Sequence, residues 1–169
     1  MRVDSSLNEI FLNSLLYLTS FVIKKSIINL ILIIIGGIFM SQAGNSYIIG
    51  LKQAHLQWGT YRHTNSRGNV YGEGYLPIPR PIATNFDVYN SNQTGAAIIY
   101  NCNSADGFLQ NATIKASGSS QAGDPYAKQF QGNGNLKLIG QWFSHVNAQI
   151  GDRVRISWIS PTDIEIELI

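Results

Sequence analysis

Two stretches of the sequence concentrate side chains that can hydrogen-bond the edges of nucleic-acid bases. Arginine bonds guanine through its two-pronged guanidinium, and asparagine or glutamine bonds adenine in the same two-point manner. The first stretch, YRHTNSRGN at residues 61–69, contributes Arg62, His63, Asn65, Arg67 and Asn69. The second stretch, residues 117–135, contributes Gln121, Lys128, Gln129, Gln131, Asn133 and Asn135. The same residue types also occur in ordinary solvated turns, so charge and fold must decide between the two interpretations.

The basic charge of the chain is concentrated in residues 52–80. That segment contains four lysine and arginine residues and one acidic residue, Glu73, which gives a net charge of +3 (4 − 1). The C-terminal segment is acidic, and residues 40–169 as a whole contain nine basic and eight acidic groups. A polarised but nearly neutral domain is poorly suited to coating nucleic acid, because such affinity comes from many phosphate contacts. The pattern favours specific recognition.

Motifs of common enzyme classes are missing from the sequence. A single cysteine, Cys102, excludes thiolate metal clusters, and the three histidines lie in unrelated segments without the spacing of a zinc site. There is no glycine-rich phosphate loop, nucleophile elbow or metalloprotease pair. The carboxylates of Asp163, Glu165 and Glu167 lack the nearby lysine of metal-dependent nucleases. We predict no catalytic residue, metal site or cofactor, and we expect any catalysis to come from a separate subunit.

Residues 1–39 form a hydrophobic leader that two lysines split into pieces of fourteen residues. Each piece would make a helix of about 21 Å, shorter than the roughly 30 Å of bilayer hydrocarbon. The composition is typical of translated AT-rich DNA, and Gly36-Gly37 can be encoded by a purine-rich ribosome-binding sequence before Met40. We predict translated upstream sequence, followed by a cytoplasmic domain at 40–169 with no membrane partner. The alternatives are a signal peptide ending near Ala43, with export, and a membrane anchor.

From residue 40 onward, short strand-like segments are separated by glycine, asparagine, serine and proline. Apolar patterns predict seven strands, at 54–62, 70–79, 96–102, 107–116, 136–140, 151–158 and 162–169. Two short helices are predicted at 81–89 and 141–149. A loop as long as 117–135 is usually functional or disordered. The predicted fold class is mainly β, with seven strands and two short helices.

Four motifs in this order resemble the B3-type DNA-binding pseudobarrel, in particular the bacterial branch that serves as the recognition domain of some restriction endonucleases. They are GYLPIPRPIATNF, LKLIGQWF, IGDRVRISW and TDIEIELI, and the resemblance covers residues 54–169. It implies a seven-stranded open pseudobarrel that places two arms in the major groove of DNA. Carried onto this chain, the arms are residues 61–71 and 117–135.

The resemblance implies sequence-specific binding of double-stranded DNA by the recognition module of a restriction-modification or defence system. The implied DNA-binding residues are Arg62, His63, Asn65, Arg67, Asn69, Lys128, Gln129, Asn133 and Asn135. Family members usually fuse this domain to others, so the resemblance implies either catalysis by a separate nuclease subunit or a detached specificity module or regulator. The alternative function is a secreted β domain that binds carbohydrate, with a stacking surface formed by Trp58, Tyr61, Tyr71 and Tyr75.

Overall fold

A seven-stranded sheet forms the framework of residues 43–61, 68–118 and 123–169, which are the residues that the computed structural model describes. The strands are β1 (Ser46–Gly50), β2 (Leu76–Pro77), β3 (Ile99–Ser104), β4 (Ala112–Ser117), β5 (Gln129–Gly132), β6 (Arg153–Trp158) and β7 (Asp163–Leu168). Their order in the sheet is β1-β6-β7-β3-β4-β5-β2. The edge strands approach each other, since the Tyr47 hydroxyl donates to the Pro77 carbonyl at 3.1 Å. The sheet is therefore barrel-like and nearly closed, and the predicted fold class is confirmed.

Strand directions divide the barrel into two ends. Every neighbouring pair is antiparallel except β3 and β7, which are parallel. As a result β1, β3, β5 and β7 finish at one end, here called the upper end, while β2, β4 and β6 finish at the lower end. The β1–β2 connection starts and ends at the upper end, and its described residues are 51–61 and 68–75. The β4–β5 connection starts and ends at the lower end, and its described residues are 118 and 123–128.

Four short helices occur among the described residues. They are α1 (Gln53–Leu56), α2 (Trp58–Tyr61), α3 (Arg80–Asn85) and α4 (Leu138–His145). Pro81 lies in the first turn of α3, as predicted, where its missing N–H costs no hydrogen bond. None of the helices in the described ranges could cross a membrane, since the longest has eight residues. The predicted leader, residues 1–39, lies outside the described residues.

The strand predicted at 54–62 is wrong, because α1 and α2 occupy that segment. The apolar alternation there also fits helical turns, in which His55 and Gly59, four residues apart, are buried. The first strand lies earlier, where Tyr47 and Ile49 are buried and their neighbours are exposed.

The strand predicted at 136–140 is also wrong, since α4 begins within it and β5 lies upstream. The segment that forms β5 has one large apolar residue, Phe130, which is buried against the rings of Tyr100 and Trp158, while β4 and β2 pair with its backbone. The strand predicted at 70–79 is reduced to two residues, because Pro77 and Pro79 lack the amide protons that a longer ladder needs.

An aromatic cluster around Trp158 fills the barrel. Its ring lies 5.6 to 6.5 Å, centroid to centroid, from the rings of Tyr47, Phe86, Tyr100 and Phe130. These residues come from β1, the end of α3, β3 and β5, so one side chain packs against elements far apart in sequence. Close packing of this interior fixes which side chains of each strand face outward.

Candidate nucleic-acid interface

The outward side of β4 and β5 carries polar side chains in register. Alternate residues of both strands are buried, so the residues between them face outward. Lys115 lies opposite Gln131, and Ser117 lies opposite Gln129. We call this set, Thr113, Lys115, Ser117, Gln129 and Gln131, the β4–β5 face.

The β4–β5 face directs hydrogen-bonding groups and one positive charge to solvent. Gln129 Nε2 donates to Gln131 Oε1 at 3.0 Å, which orients the two carboxamides side by side. Lys115 has no acidic partner at ion-pair distance within the part of the chain that is described. An ammonium group beside two oriented carboxamides can contact phosphates and base edges.

Contacts with α3 and the segment after it anchor the β4–β5 connection. The Arg80 guanidinium forms an ion pair with Asp124 and lies over the Tyr126 ring, 4.6 Å from its centroid. Tyr126 in turn stacks on Tyr89, with 5.0 Å between the ring centroids. Asp124 also accepts the Tyr126 amide N–H. These contacts hold the second half of the connection and neutralise the one carboxylate among its described residues.

Lys128 ends the connection and has an exposed side chain. Its amide donates to the Ser117 carbonyl at 2.8 Å, and its carbonyl accepts the Ile78 amide at 2.8 Å. These backbone bonds fix the residue while its ammonium group remains toward solvent. Lys128 therefore adds a second positive charge next to the β4–β5 face.

The predicted arm at 117–135 is not a single loop, because β5 divides it. Lys128 precedes β5 at the lower end, whereas Asn133 and Asn135 follow it at the upper end. Gln129 lies within the strand itself. Asn133 is exposed, and its amide donates to the Thr113 carbonyl at 2.9 Å. Lys128, Asn133 and Asn135 are thus exposed, and Gln129 is half-exposed.

Asn135, the fourth, has a role in starting α4. Its side-chain oxygen accepts the Lys137 amide at 3.1 Å, and its amide nitrogen donates to Gln141 Oε1 at 3.4 Å. Both functional ends of the carboxamide are therefore occupied within the fold.

Four predicted DNA-binding residues, Arg62, His63, Asn65 and Arg67, lie outside the described residues. Asn69 is described and exposed. The predicted first arm, 61–71, belongs to the connection at the upper end that leads into β2, and β2 pairs with β5. The described residues of the first arm, 61 and 68–71, thus belong to the upper-end connection, whereas the β4–β5 connection starts and ends at the lower end.

Two basic side chains of residues 52–80 are engaged within the fold. His55 is buried, and its Nδ1 accepts the Lys52 amide N–H at 3.1 Å. Burial, together with the nearby Lys52 charge, lowers the pKa of His55, so the ring is neutral at pH 7. Arg80 is the second group, since Asp124 pairs with it.

The negative charge of β7 is separated from the β4–β5 face. Arg155 of β6 pairs with Glu167 at 2.7 Å, which neutralises part of that charge. Hydrogen bonds from the side chains of Ser160 and Asn101 lower the pKa of Asp163. β3 lies between β7 and β4, which keeps the carboxylates about 10 Å away at the usual strand spacing.

The four aromatic residues of the carbohydrate hypothesis differ in solvent exposure. Trp58 and Tyr75 are half-buried and meet edge to face, 5.1 Å between centroids, and Tyr75 also contacts His55. Tyr61 and Tyr71 are exposed. Half of the set thus packs within the fold.

Metal-ligating groups and the cysteine thiol are two kinds of catalytic group that the described residues could offer. No group of three histidine, cysteine, aspartate or glutamate side chains in the described ranges is placed to hold a metal ion. Cys102 is buried in the core, and burial raises the pKa of its thiol to about 12. Its thiol is therefore protonated and packs as a small apolar group.

No protein-family model matches the chain, and no curated protein matches its sequence. Among solved structures, the chain is similar to the N-terminal domain of Helicobacter pylori LlaJI.R1. The TM-score is 0.43 and the identity 11%, over 74% of this chain and 87% of that one. A likeness this distant does not identify a ligand, so function has to be argued from the site itself.

Proposed function

We propose that the chain is a sequence-specific double-stranded DNA-binding domain, acting in the cytoplasm as the recognition module of a restriction or defence system. The β4–β5 face carries the proposal. There, Lys115, Lys128 and two hydrogen-bonded glutamines face solvent, and the one described carboxylate of the adjoining connection is paired with Arg80. A surface that is positive and rich in carboxamides suits both parts of DNA recognition, which are attraction to phosphates and hydrogen bonding to base edges.

The dimensions of the face suit a DNA groove. Gln129 Nε2 and Gln131 Oε1 lie 3.0 Å apart, close to one base-pair step of about 3.4 Å, so the bonded carboxamides match the spacing of neighbouring base pairs. The Gln131 amide and the Gln129 oxygen do not take part in that bond and can meet base edges. Because β4 and β5 lie within a seven-stranded sheet, their outward side chains, and not the strands themselves, would reach into the major groove.

The two arms would flank this face from opposite ends of the strands. Arg62 and Arg67, with His63, Asn65 and Asn69, form the proposed contacts of the first arm. On the β5 side, Lys128 is suited to a phosphate and Asn133 to a base edge or phosphate. Cleavage of DNA, if the system performs it, would fall to a separate nuclease subunit.

Selection of bound duplexes from a random pool tests the proposal. The protein should enrich a short consensus, and its affinity should fall steeply with rising salt, because duplex binding releases counterions. Carbohydrate binding would barely respond to salt. Failure to enrich any sequence, combined with salt-independent binding, would overturn the proposal.

A charge-matched pair of variants tests the location of the interface. Lys115→Gln should weaken binding to the selected duplex and reduce the slope of log affinity against log salt by about 1. Arg153→Gln removes the same charge from the exposed residue at the start of β6, away from this face, and should have little effect. Equal losses in both variants would show that net charge, and not the β4–β5 face, governs binding.

A further inference from the structure

A groove at the upper end of the barrel is lined by three aromatic rings and one lysine. Tyr71, at the end of the first arm, lies on one side, and Phe108 and His145 contribute further rings. Lys137 and Gln141 add polar groups at the start of α4. We call these five residues the aromatic groove. It lies at the end of the barrel opposite the β4–β5 connection.

The groove exposes aromatic surface to water, although burying such surface would be favourable. Tyr71 is 74% exposed and Phe108 is 43% exposed, although both belong to an ordered part of the fold. Neighbouring exposed aromatic rings of this kind are typical of binding surfaces.

Packing beneath the groove holds its walls in place. Phe108 stacks on His145 with 4.3 Å between centroids and an interplanar angle of 17°. The Phe108 amide donates to Asp106 at 2.9 Å, and the Asp106 carboxylate also accepts Trp142 Nε1–H at 3.1 Å, which ties the β3–β4 turn to α4. The stacked pair is therefore preorganised before any ligand arrives.

The backbone that carries Tyr71 is pressed directly against α4. A Cβ added to Gly140 would lie 2.0 Å from the Gly72 carbonyl oxygen, so the glycine is what allows this approach. The contact places the Tyr71 wall and the α4 wall of the groove at a fixed separation.

The charge of the groove selects an anionic ligand. Lys137 is a positive group of the lining, and none of the lining residues is acidic. Gln141 Oε1 accepts the Asn135 amide, and the Gln141 Nε2 group can donate to an acceptor of a heterocycle. Flat aromatic faces combined with an ammonium group are the features that bind a base by stacking and its phosphate by charge.

We propose that the aromatic groove binds a single unstacked nucleotide, with the base against the aromatic rings and the phosphate at Lys137. The ligand is either a free nucleotide or an unpaired nucleotide within DNA, since both present the same base and phosphate. This site is distinct from the β4–β5 face, and the inference does not depend on duplex recognition.

The groove is tested by titrating the protein with deoxythymidine monophosphate and with a four-residue oligothymidylate. Isothermal calorimetry and two-dimensional NMR measure the binding. Saturable binding should shift the amide signals of the groove, and a preference for the oligonucleotide would identify DNA as the source. Phe108→Ala should weaken binding by at least about fivefold, as loss of one stacking contact requires. Phe108→Tyr, which keeps the ring, should retain it.

Two controls separate this site from the rest of the molecule. Ile159→Ala removes an exposed apolar side chain from the lower end and should leave nucleotide binding unchanged. Lys115→Gln should likewise leave it unchanged while weakening duplex binding. Absence of saturable binding by the wild-type protein, or equal affinity in Phe108→Ala and wild type, would overturn the proposed site whatever the outcome for duplex DNA.

Discussion

Arg80 belongs to the basic segment, which suggests a DNA contact, yet its contacts in the structure lie within the fold. Replacing Arg80 tests which of these two roles it has. Arg80→Met keeps the aliphatic stem and removes the guanidinium. The Arg80 side chain is 57% exposed and that of Asp124 is 18% exposed. The ion pair therefore falls in the range of surface pairs, about 0.2–1 kcal/mol. The cation–π contact with Tyr126 adds about 0.5–1 kcal/mol. We expect the free energy of unfolding to decrease by about 0.7 to 2 kcal/mol.

Urea denaturation of the single and double variants measures this loss. Asp124→Asn should reproduce only the ion-pair part, and a double-mutant cycle with Arg80→Met should give a coupling of about 0.5 kcal/mol. Arg80→Lys should be intermediate, because it keeps the charge but loses the planar group that lies over Tyr126.

DNA binding distinguishes a positioning residue from a phosphate contact. If Arg80 positions the β4–β5 connection, Arg80→Met should weaken binding to the selected duplex without changing the salt dependence. A direct phosphate contact would instead reduce the salt slope by about 1. Unchanged stability together with a reduced slope would refute the positioning role.

Other side chains provide equally direct tests. Gln131→Ala should cost about 1–3 kcal/mol of affinity and relax the preference at one base pair, measured by competition among singly substituted duplexes; an unchanged preference contradicts base contact. Gly140→Ala should lower the Tm, since the added Cβ would lie 2.0 Å from the Gly72 carbonyl oxygen, and overpacking typically costs about 1–3 kcal/mol. Gly50→Ala, where nothing lies within 4 Å, is the control, and an equal loss there would contradict the steric argument. Burial raises the pKa of Asp106, but hydrogen bonds from two side chains and one backbone amide outweigh it and hold the pKa below 3.8. The resulting stability is present above the unfolded-state pKa and is lost as the pH falls through the folded-state pKa. Urea unfolding from about pH 5 to about pH 2 should therefore show a smaller decline in Asp106→Asn than in wild type.

Local patterns in the sequence were sufficient for the elements that depend on near neighbours. The strict alternation in β6 and β7 predicted both strands and their inward residues, as the burial of Val154, Ile156 and Trp158 confirms. The proline at position 81 predicted the start of α3 for a similarly local reason. Polarity and loop length also indicated that Lys128 and Asn133 are accessible, because polar residues in turns usually face solvent.

Contacts between residues far apart in sequence decided the other elements and the arrangement of the candidate sites. A short segment with one large apolar residue becomes β5 only because β4 and β2 pair with its backbone and the rings of Tyr100 and Trp158 pack against Phe130. Arg80 and Asp124 are 44 residues apart in sequence, so no local pattern could reveal that they neutralise each other. The aromatic groove likewise joins residues from the first arm, the β3–β4 turn and α4. Residue types determine which chemistry a side chain can perform, but the order of strands in the sheet determines which side chains meet, because pairing energy depends on distance in space and not on separation along the chain.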